Sequence, residues 1–322
     1  MTIKQPKIAI FPNIGLGDGL VYLVLAHNLQ RNHCQMTVYH NGLYRLRSIF
    51  AGFDIQPSAH KNNSDAISQA YDYCILHDDI SQQLFANNVN KHHIIFKSDK
   101  EKSNLSQNQS CNQESDNLMI RKLLQYSGLN LSHHNPEKSV VQNIVEFCQN
   151  KLQMSDVDKQ VPICNKLADT KKTTQVIIHP DSSIYKKNWS PTRYIALAKR
   201  IEKNGQKVIF SVAPAEFEKW ALILAGRFCL TQFNLVDLAY QLKACKCFIG
   251  SDSGPGHLAS LLGTPTLTIF SRKRKCYTWR PGWSSGQIAT PLIKINFIKT
   301  KTHLRSFLSV SRVYKQYLKL LA

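Results

Sequence analysis

Short apolar runs alternate along this chain with segments whose apolar residues recur three or four positions apart. The first run, KIAIFP at residues 7–12, reads as a parallel strand buried on both faces. A glycine-bearing loop at 13–19 follows, then a helix with Leu20, Leu23, Val24 and His27 at helical spacing. The same alternation predicts strands at 36–40, 53–55, 73–77 and 93–96, with helices at 43–51, 65–71 and 80–89 between them. The Asn-, Gln- and Ser-rich stretch 98–115 reads as a surface loop. Helices at 116–127 and 137–152 close this half, and a polar connector follows, ending near residue 173.

A second alternating set opens with a strand at 175–179. The loop 180–189, PDSSIYKKNW, leads into a helix with Ser190 as N-cap, Pro191 as first residue and Tyr194, Leu197, Ala198 and Ile201 as its apolar stripe. A strand at 207–212, a helix ending at 225, a strand near Leu230 and a helix at 235–245 precede the most distinctive stretch, FIGSDSGPGHLASLLGTPTLTIF at 248–270. There a short strand ends in a turn of small residues, Pro255 opens a helix, and Gly263 and Pro265 stop it before a strand at 266–270. The turn aims Ser253, Gly254 and the first helical amides at one point. Free N–H groups and the helix dipole suit that point to a phosphate or diphosphate. Asp252 at the strand end can accept from ligand hydroxyls, and His257 lies in the first helical turn.

The tail at 302–321 is amphipathic, with Phe307, Val310, Tyr314, Tyr317, Leu318 and Leu321 opposite Arg305, Arg312, Lys315 and Lys319. Two successive sets of strands and helices predict two α/β domains with parallel sheets, at 1–155 and 173–300. The helix in 301–322 is expected to pack back on the N-terminal domain. Ligands of such sheets bind beyond the carboxyl ends of the strands.

Three more specific readings fail on spacing. The GxGxG at 15–19 is not GxGxxG, and the second strand ends without an acidic residue for a ribose, so NAD binding is not expected. The run 250–254 is not a nucleophile elbow, because no Asp or Glu follows Asp252. Asp156-Val157-Asp158 resembles a metal-binding DxD but does not end an apolar strand.

Charge changes the picture. The 322 residues hold 41 Lys+Arg against 21 Asp+Glu, a net charge of +20, and from Ser253 onward the basic residues meet no acid. Such a field attracts phosphates on nucleic acid, an anionic membrane or a glycolipid. Nine scattered cysteines without CxxC spacing imply reduced thiols and no zinc site. Neither a signal peptide nor a run long enough to cross a bilayer is visible, so a cytoplasmic location is expected. These residues alone reach a two-domain α/β enzyme that binds a nucleotide or phosphate.

Four pieces, in order and spacing, resemble glycosyltransferase family 9, the bacterial ADP-heptose lipopolysaccharide heptosyltransferases. They are Gly17-Asp18; His179-Pro180 with Lys187-Asn188-Trp189-Ser190; Ala215-Glu216; and 251–259 (SDSGPGHLA) with Gly263-Thr264-Pro265. The resemblance implies a GT-B fold, two Rossmann-like domains with parallel sheets facing across a cleft. It also implies inversion at the anomeric carbon, with no metal and no cofactor. By position, Asp18 resembles the catalytic base and Lys187 the partner of the donor diphosphate. Glu216 resembles a contact to the nucleotide side, Asp252 a donor-sugar ligand, and Ser253, Gly254 and His257 the phosphate cradle.

The chain departs from the family where Ser-Arg-Lys-Arg-Lys at 271–275 replaces a small Gly-Pro-Thr turn, and where the first strand ends in Pro12-Asn13 rather than a basic residue. Arg272, Lys273, Arg274 and Lys275 are candidates for holding acceptor phosphates. The expected partners are a nucleotide-sugar donor such as ADP-heptose and an anionic lipopolysaccharide-core glycolipid, with peripheral contact to the cytoplasmic face of the inner membrane. Nucleic acid is not expected, since the tail aromatics lie on the apolar stripe. The alternatives are a family member with another donor or a protein acceptor, and a non-catalytic basic protein that binds nucleic acid or glycolipid.

Overall fold

The protein is described by a computed structural model that covers residues 5–50, 52–85, 92–97, 117–131, 135–232, 234–270, 276–291 and 308–322. It divides into two compact units, Met1–Pro162 and Ile163–Ala322, with the boundary inside the polar connector. The first unit runs β1 (Lys7–Phe11), α1 (Leu16–Arg31), β2 (Gln35–Tyr39), α2 (Asn41–Tyr44), β3 (Asp54–Gln56), α3 (Lys61–Gln69), β4 (Tyr73–His77), α4 (Asp78–Phe85), β5 (His93–Phe96), α5 (Leu118–Gln125) and α6 (Val140–Glu146). The second runs α7 (Asn165–Ala168), β6 (Val176–His179), α8 (Pro191–Lys203), β7 (Val208–Val212), α9 (Phe217–Leu224), β8 (Cys229–Gln232), α10 (Leu235–Ala244), β9 (Cys247–Ser251), α11 (Gly254–Leu261), β10 (Thr266–Ile269), β11 (Gly286–Ala289) and α12 (Val310–Leu321).

The uninterrupted apolar runs become the sheet interiors. Ile8, Ala9 and Ile10 of β1 and Val176 and Ile178 of β6 are fully buried, as strands covered by helices on both faces must be. All pairings in both sheets are parallel. The orders are β3-β2-β1-β4-β5 and β11-β10-β9-β6-β7-β8. In each sheet the chain works outward in one direction and then returns to the other side of its first strand. This reversal lies between β1 and β4 in one unit and between β6 and β9 in the other. Such switch points open a crevice above the strand ends.

Several expected elements differ. The helix at 43–51 is only Asn41–Tyr44 followed by turns, because Leu46, Ile49 and Phe50 bury themselves from turn positions at helix-like spacing. The helix at 137–152 stops being α-helical at Phe147, where a π-turn over Phe147–Lys151 keeps Phe147 and Cys148 both buried. Strand β11 has no apolar run to betray it; Gly-Gln-Ile-Ala pairs with β10 through its backbone alone. Ser190 precedes α8 but does not cap its backbone, since its hydroxyl is bonded to Thr192 Oγ1 at 2.7 Å.

The expectation that the C-terminal helix packs on the N-terminal domain is corrected. Helix α12 packs on α8, β10 and β11, and Val313 and Tyr317 join the core of its own unit. Ser309 caps it by accepting from the Arg312 N–H at 3.3 Å. Leu318, expected on the buried stripe, is 46% exposed, and Val313 takes that role. The stripe is therefore rotated toward residues 313 and 317.

Candidate functional site

In the second unit, the switch point brings the loop after β6 beside the turn after β9. His179 and Gly250 are paired in register there, and a Cβ at 250 would lie 2.7 Å from the His179 carbonyl oxygen. Only glycine lets the two strand ends close. His179 itself is buried, its Nδ1–H donating to the Ser211 carbonyl at 2.7 Å, and burial pushes its pKa down to about 4. It is a neutral structural post beneath the site.

The loop 180–189 is anchored at both ends. Asp181 accepts from Asn188 Nδ2 at 3.0 Å and from Trp220 Nε1, and Lys219 Nζ stands 3.6 Å away. Burial raises the Asp181 pKa, with Lys219 and Trp220 opposing the rise. At the other end Trp189 Nε1 donates to the Leu308 carbonyl at 3.1 Å, so the segment before α12 braces this loop. Between the anchors Lys187 reaches Asp252 Oδ2 at 2.7 Å. Glu216, at the end of the 3-10 turn after β7, accepts from Lys219 at 2.5 Å and so joins the same network through Asp181.

Beyond Asp252, Ser253 sits at the N-cap of α11 without capping it, and Pro255 occupies the first turn. The Ser253 hydroxyl is buried with no hydrogen-bond partner among the described residues. His257 lies behind it, 3% exposed, its ring edge-on to Trp279 and Trp283. Burial lowers the His257 pKa, Asp252 resists, and Lys187 adds to the fall. The imidazole is thus neutral near pH 7. Lys187, the positive end of the α11 dipole and a buried hydroxyl meet at one strand-to-helix turn and suit it to an anion, although Pro255 has no N–H and the Gly256 and His257 amides already bond the Ser253 carbonyl at 3.1 and 3.4 Å.

In the first unit, β1 feeds the loop 12–15 into α1, whose N-cap is Gly15. Asp18, in the first turn, folds back over that cap, and a Cβ at residue 15 would stand 2.4 Å from its Oδ2. His40 holds the loop from below. It is 1% exposed, its ring fills the gap between Gly19 and Gly42, and its Nδ1 accepts from Leu43 N–H at 3.0 Å. Burial lowers the His40 pKa, while the carbonyls of Gly15, Asn13 and Ile14 favour its protonated form. Across the switch point, His77, Asp78 and Asp79 end β4 and begin α4. Their ligand atoms lie within 4.8 Å of one another, a group able to hold a metal ion. Asn13 Nδ2 donates to Asp79 Oδ2 at 3.3 Å, beside an open hollow of about 490 Å³ lined by Asn13, Ile14, Asp79, Gln82 and Gln83. Buried Tyr22 feels both Asp18 and Asp78, which add to burial in raising its pKa.

The structure therefore joins Lys187, Glu216, Asp252, Ser253, Gly254 and His257 in one unit and sets Asp18 at the corresponding position of the other. Arg272, Lys273, Arg274 and Lys275 lie outside the described residues. Sequence reasoning missed the supports: Asp181 with Lys219 and Trp220, His40, the 77–79 group, and Tyr194, whose hydroxyl meets Ser251 Oγ at 3.0 Å. The sequence places Tyr194 on the apolar stripe of α8, and nothing in its spacing shows where its hydroxyl goes.

Fold and site together define a two-unit α/β protein with an anion cradle at one switch point and an acidic loop at the other. The family model of glycosyltransferase family 9 (heptosyltransferase) matches residues 81–301, and the chain belongs to that family. It is 24% identical over 121 residues to lipopolysaccharide heptosyltransferase 3 of Escherichia coli, covering 35% of each chain. It is 31% identical over 121 residues to lipopolysaccharide heptosyltransferase 1 of Campylobacter coli, covering 34% of each. These alignments span about a third of either relative's length. The solved structure of E. coli ADP-heptose lipopolysaccharide heptosyltransferase II matches with a TM-score of 0.65 at 16% identity, covering 98% of both chains. That likeness gives the fold as GT-B, two Rossmann-like units.

Proposed function

We propose that the chain is an inverting glycosyltransferase that moves a heptose from ADP-heptose to a lipopolysaccharide-core acceptor. The carrying observation is the Lys187–Asp252 pair at the N-terminus of α11, within a member of this family. In this reading the donor diphosphate lies against Lys187, the N-terminus of α11 and Ser253, with Glu216 toward the nucleotide and Asp252 toward the sugar. The acceptor oxygen attacks the anomeric carbon from the face opposite the diphosphate. A new C–O bond forms, the bond to phosphate breaks, and ADP leaves with the electron pair. Asp18 takes the acceptor proton, a step that general bases accelerate by roughly 10²–10⁴-fold. Lys187, the α11 dipole and the Ser253 hydroxyl stabilise the charge that develops on the leaving group.

The relatives' names support the heptose and lipopolysaccharide assignment, and the unopposed basic residues after Ser253 suit an anionic glycolipid at a membrane surface. Arg272, Lys273, Arg274 and Lys275 are proposed to meet its phosphates. Among the described residues no helix is long and apolar enough to cross a membrane. Charge stabilisation by protein groups makes the reaction metal-independent in this proposal.

The test is a turnover screen by mass spectrometry, pairing ADP-, UDP-, GDP- and CDP-sugars with lipopolysaccharide-core acceptors, with and without EDTA. Transfer of a heptose from ADP-heptose in EDTA is the expected result. Transfer from another donor only, or none, overturns the donor assignment. Activity lost to EDTA and restored by magnesium redirects attention to His77, Asp78 and Asp79.

A further inference from the structure

Neighbouring residues at the end of β2 serve different places. His40 is buried against the Asp18 loop, whereas Tyr39 lines a cavity of about 340 Å³ bounded by residues of β2, β3 and α3. That volume lies at the lower end of the ~300–1,000 Å³ common for small-molecule clefts. One wall is aromatic. Tyr39 stacks on Phe11 with centroids 5.0 Å apart, Tyr71 stands edge-on to Tyr39, and the two hydroxyls are 3.0 Å apart. One hydroxyl donates to the other, so the second keeps its proton for a ligand.

Beside the tyrosines on the same face of the sheet, where Gln56 pairs in register with Tyr39 and Asp54 with Thr37, the lining is polar and already ordered. The Asp54 carboxylate accepts from Thr37 Oγ1 at 2.8 Å and from Gln56 Nε2 at 2.6 Å, and Ser58 and Asn63 continue the rim. Side chains fixed before a ligand arrives lose less freedom when it binds.

The chain carries a net charge of +20, yet among the described residues no lysine or arginine lines this cavity. A phosphate would find no lysine or arginine here, only the His60 imidazole, and a divalent metal would find one carboxylate and that imidazole, short of the set such ions need. What fits is an uncharged ring bearing several hydroxyls, its C–H surface against Tyr39 and Tyr71 and its hydroxyls toward Asp54, Gln56 and Asn63.

We infer that this cavity binds a neutral saccharide unit, and, on the proposed transferase reading, that this unit belongs to the acceptor glycan. The cavity is joined to the loop carrying Asp18. Ser58 exchanges hydrogen bonds with Asn41 at 2.9 and 3.0 Å, and at the next residue, Gly42, a Cβ would lie 3.4 Å from Leu16 Cδ1 at the start of α1. The acceptor class this defines has a neutral hexose or heptose near the reacting hydroxyl, in addition to phosphates elsewhere.

Saturation-transfer NMR on the full chain, with methyl glycosides of neutral hexoses and heptoses and the matching sugar phosphates, tests this without requiring turnover. The neutral glycosides are expected to receive saturation and the sugar phosphates much less, in the presence of saturating ADP. Asp54→Asn and Tyr71→Ala should each weaken glycoside binding about tenfold or more, while Gln56→Ala weakens it less and ADP affinity stays unchanged in all three. Melting temperature identifies a variant that fails to fold, and Gln56→Ala keeps the test open in that case. No saturation in the native protein, a preference for sugar phosphates, or full binding in the folded variants would overturn the inference. If glycosides bind here but no transfer is found with any donor, the transferase reading fails and the saccharide site stands.

Discussion

The two switch points use the same supersecondary unit, strand, glycine-bearing turn and helix, each with one aspartate, for opposite electrostatic ends. In the N-terminal unit Asp18 folds back over its own helix cap and shares its surroundings with Asp78. No lysine or arginine lines the adjoining hollow among the described residues. In the C-terminal unit Asp252 stands before the cap and is held by Lys187, leaving the α11 N-terminus and the buried Ser253 hydroxyl toward an incoming anion. An acidic turn suits proton acceptance and a cationic one suits a leaving diphosphate. Placement of the aspartate by a few residues, together with what the neighbouring loop supplies, decides between them.

The comparison breaks first at Asp18. Asp18→Asn is nearly isosteric, and it should lower kcat by about 10²–10⁴-fold while leaving ADP affinity and melting temperature near native. Steady-state kinetics beside calorimetric ADP titration measures both. Near-normal turnover would make Asp18 a helix-end residue like any other.

The next largest effect is on acid stability of the C-terminal unit. The His179 pKa falls from 6.5 to about 4 because burial disfavours its charged form. Its contribution is therefore present above pH 6.5 and lost as pH falls toward 4, worth about 3 kcal/mol at ~1.36 kcal/mol per pH unit. His179→Asn should flatten the fall in stability across that window, read by denaturant titration at successive pH values. An unchanged slope would show that His179 is not what resists protonation there.

Lys187→Gln should lower ADP affinity about tenfold and raise KM, with little change in stability, because the ion pair is 37% exposed on the lysine side. If instead kcat collapses with affinity intact, the cationic turn acts mainly on the transition state. The smallest effect is expected from Tyr194→Phe, which removes the 3.0 Å bond to Ser251 beneath the turn and should cost about 1 kcal/mol of stability.

Much of this contrast is legible in the chain itself. Pro255 and Gly263 bracket α11 as their backbone preferences dictate, Gly263 adopting φ 81°, and the apolar runs name the strands of both sheets except β11. Lys187 and Asp252 stand out by their motifs, but their 2.7 Å contact spans 65 positions and arises only when β6 and β9 pair. Asp181, Lys219 and Trp220 carry no motif; they matter because a loop and a helix from different parts of the chain meet. His40 lay at the end of an expected strand, yet its role depends on glycines at 19 and 42 leaving room for its ring. Periodicity reports which side of an element is buried. It does not report what a buried polar tip will find there.

The most direct test of the account is hydrogen exchange on the full chain, free and saturated with ADP. Protection concentrated at amides 253, 254, 256 and 257 and at 187–189, with amides 13–18 unchanged, is the result predicted if the C-terminal turn holds the diphosphate. Protection at 13–18 with none at 253–257 would contradict it and exchange the roles given to the two turns.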